Sequence, residues 1–194
     1  MTAAQADFVL RGGELELRRL EREDARELRA VIDRNRAELA RWLQWAHDGD
    51  PEQPLRFILD AHTREAQETA LQRAIVSSGR IVGTAGLTRI DWANLSAELG
   101  YWLDGEHQGQ GIMTAAVGAL VAHAFERQRL NRLEIRTDVE NGASRAVAER
   151  LGFHYEGTLR QAYRITGARY SDDAVYSLLA SEARGDARLG VADR

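Results

Sequence analysis

The stretch Tyr101-Trp102-Leu103-Asp104-Gly105-Glu106-His107-Gln108-Gly109-Gln110-Gly111-Ile112-Met113-Thr114 decides how this chain is interpreted. It leads from an apolar strand end, through two glycines one residue apart, into an Ala-rich helix predicted from about Gln110 to Gln128. The free amides at the start of such a helix, together with its dipole, favour an anionic ligand and above all a phosphate. A tight turn that needs glycine only for its positive φ explains the same residues without any ligand.

The segments around this turn predict a sheet flanked by helices. Helical patterns cover Asp24 to Trp45, Leu55 to Ala70 and Ala143 to Leu151, and both prolines fall in the polar loop between the first two. Strands are predicted near Leu15 and at Leu71 to Val76, Arg80 to Ile90, Ala93 to Leu103, Leu133 to Val139, Phe153 to Arg160 and Ala174 to Leu179. Antiparallel strands followed by a β–α–β–α–β run predict an α+β fold with a mixed sheet. We expect one domain over residues 1–182 and a polar tail over residues 183–194.

Composition excludes several kinds of chemistry. The 194 residues include no cysteine and no lysine, since all 26 basic residues are arginine. Thiol nucleophiles, Cys-ligated metals, Schiff-base lysines and the P-loop lysine are therefore excluded. The five histidines show no metal-ligand spacing, so we expect no metal. A net charge of -4 argues against dedicated nucleic-acid binding. Without a long apolar run or a signal peptide, we expect a cytoplasmic protein with no membrane partner.

A second informative segment runs from Asn141 to Phe153, about thirty residues after the glycine turn. Capping alone explains Asn141 and Ser144 at the start of a short helix that Gly152 ends. Taken with the earlier turn, however, this segment resembles the GNAT superfamily of acetyl-CoA-dependent N-acetyltransferases. Gln108-x-x-Gly111-x-Met113 is similar to that family's pyrophosphate loop, and Asn141-x-x-Ser144 leading to Leu151-Gly152-Phe153 is similar to its next block.

Within the superfamily, the residues Ser96 to Leu103 and the segment Trp42-Leu43-Gln44-Trp45 resemble the RimJ/RimL type. Enzymes of that type acetylate the N-terminal amine of ribosomal proteins. The resemblance implies a central, mostly antiparallel sheet of about seven strands, acetyl-CoA as cosubstrate, and a possible homodimer. It also implies a set of cofactor-binding residues, which are Tyr101, Trp102, Leu103, Gln108, Gly109, Gln110, Gly111, Ile112, Met113, Thr114, Asn141 and Ser144.

The chain departs from the family pattern at three positions. Met113 replaces a glycine or alanine, which the RimJ/RimL branch tolerates because only the amide is used there. Ala148 stands where many relatives have the tyrosine that protonates the leaving thiolate, and in the RimJ/RimL type a serine at the place of Ser144 is the proposed substitute. Tyr163 stands near the position of a glutamate that helps to activate water in that branch.

The absence of cysteine implies direct attack of a bound amine on the thioester. Glu98 is the candidate general base, although an outward-facing strand carboxylate explains it equally well. A backbone N–H near Tyr101 to Leu103 is the candidate oxyanion donor, and Ser144 is the candidate donor to the leaving thiolate. The aromatic residues Trp42, Trp45, Trp92 and Tyr163 are candidates for an acceptor pocket, or else for core packing.

The acceptor is expected to be a peptide N-terminus or a small amine. Two other functions stay open at this point. One is a catalytically silent acyl-CoA or nucleotide sensor, which Ala148 and Tyr163 favour. The other is a nicotinamide or other nucleotide enzyme, which is disfavoured because Thr114 occupies the third glycine position and the turn follows several strands rather than the first.

Overall fold

The computed structural model describes residues 8–9 and 15–183, in which a sheet of eight strands carries helices on both faces. The strands are β1 (Phe8–Val9), β2 (Leu15–Arg18), β3 (Leu71–Ser77), β4 (Arg80–Asp91), β5 (Ser96–Leu103), β6 (Arg132–Asp138), β7 (His154–Thr166) and β8 (Arg169–Leu179). The α-helices are α1 (Ala25–Leu39), α2 (Gln53–Ala66), α3 (Ile112–Glu126), α4 (Gly142–Arg150) and α5 (Ala180–Ala183). Short 3-10 turns cover Arg22–Asp24, Gln44–His47 and Gly105–His107.

The strands lie in the order β1-β2-β3-β4-β5-β6-β8-β7. Every neighbouring pair is antiparallel except β5 and β6, which are parallel. The parallel pair follows from the crossover through α3, because a parallel connection needs a segment long enough to return across the sheet. The predicted α+β class with a mixed, mostly antiparallel sheet of about seven strands is confirmed.

Two apolar clusters hold the helices to opposite faces of the sheet. On one face, α1 and α2 pack through residues such as Leu28, Ile32 and Ile58. On the other face, α3 contributes buried residues that include Val117 and Leu120. The α3 helix carries apolar residues around most of its circumference, which is typical of a helix enclosed by other elements.

The structure differs from the sequence prediction at several boundaries. The first helix ends at Leu39 instead of Trp45, and a separate 3-10 turn, Gln44–His47, carries Trp45. Pro54 lies in the first turn of α2 because proline lacks the N–H that a helix leaves unpaired there. The predicted tail is also shortened, since Ala183 is buried at the end of α5. Residues 184–194 lie outside the described part of the chain, and the extent of the domain stays a prediction.

The last two strands are longer than predicted. Instead of ending at Arg160 and restarting at Ala174, they form one long hairpin that turns at Gly167, whose φ is +50°. The hairpin has three shifts of register between its strands, and β7 is exposed on both faces along most of its length. A strand without a buried face has no apolar alternation, so its sequence does not distinguish it from a loop.

Candidate active site

A gap between the two parallel strands defines the candidate site. Strands β5 and β6 pair only between Ser96–Leu99 and Arg132–Ile135. Beyond Leu99, β5 continues along β4, whereas β6 continues along β8. On the side facing β6, residues 100–103 therefore have no strand partner among the described residues. Unpaired backbone groups at a strand edge bind an extended ligand or an oxyanion well.

The glycine turn lies directly after this strand end, as predicted. Gly109 and Gly111 have φ values of +74° and +77°, and a Cβ at either position would meet nothing within 4 Å. Gly111 is the N-cap of α3 and has no side chain to accept the first amides. The N–H groups of the first helical turn therefore have no capping side chain at the positive end of a 15-residue helix. This arrangement suits a phosphate group.

The other residues predicted for the cofactor loop divide between surface and core. Gln108 and Gln110 are exposed, and the Gln110 side chain donates to the Glu106 carbonyl at 3.0 Å. Ile112 and Thr114 are half-buried, while the Met113 side chain packs in the main core cluster. Met113 therefore offers a ligand its backbone amide but not its side chain.

A buried carboxylate, which sequence reasoning missed, connects this loop to α1. Asp104 is 1% exposed and accepts hydrogen bonds from Arg34 and from Asn35 Nδ2, the latter at 2.7 Å. The side-chain oxygen of Asn35, Oδ1, in turn accepts from the Gly105 N–H at 2.9 Å. Burial alone would raise the pKa of Asp104, but the hydrogen bonds from Arg34 and Asn35 outweigh it and hold the pKa at about 2. The start of the cofactor loop is thus fixed to a helix on the opposite face of the sheet.

Ser144, the candidate thiolate donor, lies beside the gap at the start of α4. Its N–H donates to the Asn141 side chain at 3.1 Å, so Asn141 caps the helix as the local sequence predicts. Its hydroxyl oxygen lies 3.1 Å from the phenol oxygen of Tyr101, which comes from the unpaired part of β5. Burial raises the pKa of Tyr101 to about 12. The structure therefore brings together two predicted cofactor residues that are 43 positions apart.

Glu98, the candidate base, projects from the other face of β5. It directly precedes Leu99, the last residue of β5 that pairs with β6. Because side chains alternate along a strand, Glu98 lies on the same face as Trp102 and on the opposite face from Tyr101. With Arg89, Arg132 and Arg136 among its neighbours, it lines a small cavity of about 80 Å³. A base on this face would meet an acceptor that approaches from the side opposite Ser144.

A second carboxylate on this face was not singled out by the sequence. Asp173 lies on β8 opposite Asp138, at the end of β6 that diverges from β5. Burial raises the pKa of Asp173, an effect that the hydroxyl of Ser171 and the charge of Arg136 partly oppose. No sequence signal indicated Asp173, because it directly precedes the predicted strand Ala174 to Leu179 in a polar stretch.

Two of the four aromatic candidates, Trp45 and Trp42, lie near the same face of the sheet as Glu98. The Trp45 and Trp102 rings are 6.3 Å apart, and both pack against the cluster formed by α1 and α2. The turn that carries Trp45 also contacts β7. Trp42 is half-buried, with its N–H bonded to Glu38 and the Arg41 guanidinium 4.7 Å from its ring centre. Trp45 and Trp102 therefore form an aromatic pair on the face of the sheet that carries α1 and α2.

Of the other two aromatic candidates, Trp92 lies at the far end of β5 and Tyr163 lies on the long hairpin. Trp92 lies in the β4–β5 turn, where its N–H donates to the Glu68 carbonyl at 2.7 Å. That turn is at the opposite end of β5 from Leu103, roughly 20 Å along the strand. Tyr163 is 38% exposed on the long hairpin, paired with Ser171. The helical and strand periodicity of the sequence gave no information on which end of the sheet each aromatic occupies.

Two further features concern the described residues as a whole. Within residues 8–9 and 15–183, no helix combines the length and apolar character needed to cross a membrane. The same residues contain no group of three or more His or acidic side chains arranged to hold a metal ion.

Comparison with known proteins agrees with this geometry. Residues 14–154 match the acetyltransferase (GNAT) domain family. The chain is 36% identical to a putative ribosomal N-acetyltransferase, YdaF of Bacillus subtilis, over 88% of this chain and 93% of the relative. It is 34% identical to the ribosomal-protein-serine acetyltransferase of Escherichia coli, over 84% of this chain and 91% of the relative.

Solved structures give the same result. The structure of RimL, a ribosomal L7/L12 alpha-N-protein acetyltransferase in complex with coenzyme A, aligns with a TM-score of 0.83 and 29% identity, over 88% of this chain and 97% of that one. The family match, the sequence relatives and the fold therefore all indicate an acetyltransferase. The chain is an acetyl-CoA-dependent N-acetyltransferase and belongs to the GNAT family.

Proposed function

We propose that this enzyme acetylates the N-terminal amine of a protein substrate, with an N-terminal serine as the preferred acceptor. The observation that carries the proposal is the gap after Leu99, which opens to Ser144 on one face and to Glu98 and Trp102 on the other. Two substrates can meet at such a gap from opposite sides of the sheet. The choice of serine rests on the name of the Escherichia coli relative.

The chain supplies each group that the transfer needs. The amine attacks the thioester carbonyl, a C–N bond forms, and the C–S bond breaks with its electron pair going to sulfur. Backbone N–H groups at the unpaired edge of β5 would stabilise the oxyanion, because they are fixed in place before the charge develops. Glu98, directly or through water, would take the proton of the attacking amine. Ser144 would donate a hydrogen bond to the departing thiolate.

The cofactor would lie along a line set by the fold. The pyrophosphate would bind the first-turn amides of α3, after the Gly109–Gly111 turn. From there the pantetheine arm would run beside residues 100–103 of β5, and its acetyl group would reach the end of the gap. No lysine is available in this chain, so the phosphate contacts would come from backbone amides and arginine.

A small cationic amine is the second candidate acceptor. The net charge of -4 favours it, since a negative protein attracts cations over long range. A polyamine such as spermidine would then compete with the peptide for the open face. Its attacking nitrogen would need the same base.

Parallel assays distinguish these acceptors. Thiol release from acetyl-CoA is measured with a serine-starting hexapeptide, with the same peptide carrying a blocked N-terminus, and with spermidine. Because the protein has no cysteine, all thiol detected comes from CoA. We expect release with the free peptide and none with the blocked one. Release with spermidine alone would favour the second candidate, and equal release with both peptides would mean that the N-terminal amine is not the acceptor.

Three expectations from the sequence also stay proposals. These are a homodimer, a reaction without a metal ion, and a cytoplasmic enzyme that binds neither nucleic acid nor membrane. Sedimentation equilibrium tests the first, and activity after exhaustive chelation tests the second. Fractionation of cells that produce the protein, with and without nuclease treatment, tests the third.

A further inference from the structure

The hydroxyl of Tyr101 has no assigned part in the transfer, although it lies at the candidate site. It approaches two acceptors on a single residue, the Ser144 hydroxyl oxygen at 3.1 Å and the Ser144 carbonyl oxygen at 3.3 Å. The carbonyl oxygen only accepts hydrogen bonds, so that contact uses the phenol proton, whereas either hydroxyl can donate in the other contact. A phenol proton shared between the two Ser144 oxygens leaves the serine proton unused. The resemblance implies that Tyr101 is a cofactor-binding residue, but it gives the contact of its hydroxyl with Ser144 no role.

Tyr101 and Ser144 come from the two elements that border the gap. Tyr101 belongs to the part of β5 without a β6 partner, and Ser144 begins the helix that follows β6. Their contact therefore crosses the gap on the face of the sheet that α3 and α4 cover. Meanwhile Ala148, where many relatives have a tyrosine, is fully buried and carries no polar atom.

We propose that Tyr101 is a positioning residue: it holds the hydroxyl of Ser144 so that the serine proton points at the sulfur of CoA. When the phenol donates to the serine oxygen, the serine proton is free for another acceptor. In the transfer step the C–S bond breaks, the electron pair goes to sulfur, and Ser144 donates a hydrogen bond to the resulting thiolate. No proton leaves Tyr101, and the thiolate takes its proton from solvent after release.

The surroundings of Tyr101 keep it a donor. Burial raises its pKa to about 12, so the phenol stays protonated at neutral and mildly alkaline pH. A phenol that stays protonated polarises the serine hydroxyl throughout that pH range. The inference rests on the proposed function, because it takes the thiol of bound CoA to lie beside Ser144.

The direct test is the thiol pKa of CoA bound to the protein, measured from thiolate absorbance with protein in excess. The chain contains no cysteine, so the thiolate signal belongs to CoA alone. In the wild type we expect this pKa to lie below the free thiol value of about 8.5. Tyr101→Phe should raise it by about 0.4 to 1 unit, the effect of one hydrogen bond, and Ser144→Ala should raise it by at least as much.

Kinetics with the serine-starting peptide give a second readout. Tyr101→Phe should lower kcat by about 2- to 10-fold while KM for acetyl-CoA stays within twofold. In the Ser144→Ala background the same change should have no further effect, because its partner is already absent. Tyr155→Phe is the matched control, since that phenol is exposed and hydrogen-bonds the Thr158 hydroxyl at 2.6 Å on β7, the last strand in the sheet order. It should change neither quantity.

Three outcomes would overturn the inference. They are an unlowered thiol pKa in the wild type, an unchanged pKa in Tyr101→Phe, and additive losses in the double variant. If Tyr101→Phe does not fold, the wild-type and Ser144→Ala values still decide, because an equal thiol pKa in the two leaves nothing for Tyr101 to position. Failure of CoA to bind at all would refute the proposed function as well, whereas CoA binding with no effect of Tyr101 refutes this inference alone.

Discussion

Replacement of Asp104 by asparagine tests the connection between α1 and the cofactor loop. The substitution keeps the size of the side chain and removes its charge. In the wild type, the buried carboxylate accepts from Arg34 Nε at 3.2 Å, from a second Arg34 nitrogen, and from Asn35. Its oxygen also lies 3.2 Å from His107 Nδ1. In the variant, the new amide group would face donors on both sides, and one donor would lose its acceptor.

The pKa of Asp104 gives the size of the effect. A folded-state value of about 2, against 3.8 for the free side chain, corresponds to about 2.4 kcal/mol favouring the folded state with the carboxylate charged. Because the folded pKa is lowered, this contribution is complete above pH 4 and is lost as the pH falls toward 2. We therefore expect Asp104→Asn to lower the free energy of unfolding at pH 7 by about 2 to 3 kcal/mol.

Urea unfolding followed by circular dichroism measures this loss, and Asp33→Asn is the matched control. Asp33 lies on α1, the helix that carries the Asp104 partners. It also has arginine partners, Arg29 and Arg36, but its side chain is 42% exposed. An exposed ion pair contributes about 0 to 1 kcal/mol, so the control should change little. The acetyl-CoA dissociation constant of Asp104→Asn should rise more than that of Asp33→Asn, because Asp104 begins the loop.

Two results would refute this reasoning. If Asp104→Asn is as stable as the wild type, the buried network does not stabilise the fold. If it is destabilised but binds acetyl-CoA with unchanged affinity, the network stabilises α1 without positioning the loop.

Three other predictions concern the base, a buried histidine and a close strand approach. Glu98→Gln should lower kcat by about 100-fold or more, while the kcat of Asp173→Asn should stay within about threefold of the wild type. Steady-state rates in the reverse order would make Asp173 the base. Burial and neighbouring arginines lower the pKa of His123 from 6.5 to about 4. The free energy of unfolding should therefore fall by about 1 to 2 kcal/mol as the pH drops from about 6.5 to about 4.5, a figure that allows for the partial exposure of the ring. His123→Gln should flatten the profile of melting temperature against pH over that range. Gly83→Ala should destabilise the sheet by about 3 kcal/mol or prevent folding, because its Cβ would lie 2.2 Å from a carbonyl oxygen of β5. The control Gly142→Ala has open space around its Cβ, so it should unfold at the same urea concentration as the wild type.

The parts of the site that depend on neighbouring residues were predictable from the sequence. The glycine turn before α3 and the Asn141 cap of α4 each follow from a few adjacent residues with strong backbone preferences. The gap after Leu99 lies beside Tyr101 to Leu103, which the resemblance implied as cofactor-binding residues. The silent-sensor alternative has no support in the family match or the relatives, which are named as acetyltransferases.

The parts that depend on distant residues were not predictable. Asp104 and Asn35 are 69 positions apart, and no local pattern indicates that they meet. The same holds for Tyr101 and Ser144, where each residue had a sufficient local explanation. The sequence analysis grouped Trp92 with the other aromatic candidates, because residue type indicates that a side chain can line a pocket but not where in the fold it lies. Such contacts are set by strand order and crossover, which periodicity does not encode.

The most direct test of the account is a thermal-shift series with acetyl-CoA, CoA, NADH and ATP. A ligand at 100 times its Kd should add about 2.7 kcal/mol to the free energy of unfolding, which raises the melting temperature visibly. The account predicts a rise with acetyl-CoA and CoA and none of that size with NADH or ATP. A rise with NADH alone, or no rise with either CoA compound, would contradict the assignment of the Gly109–Gly111 turn as the pyrophosphate site.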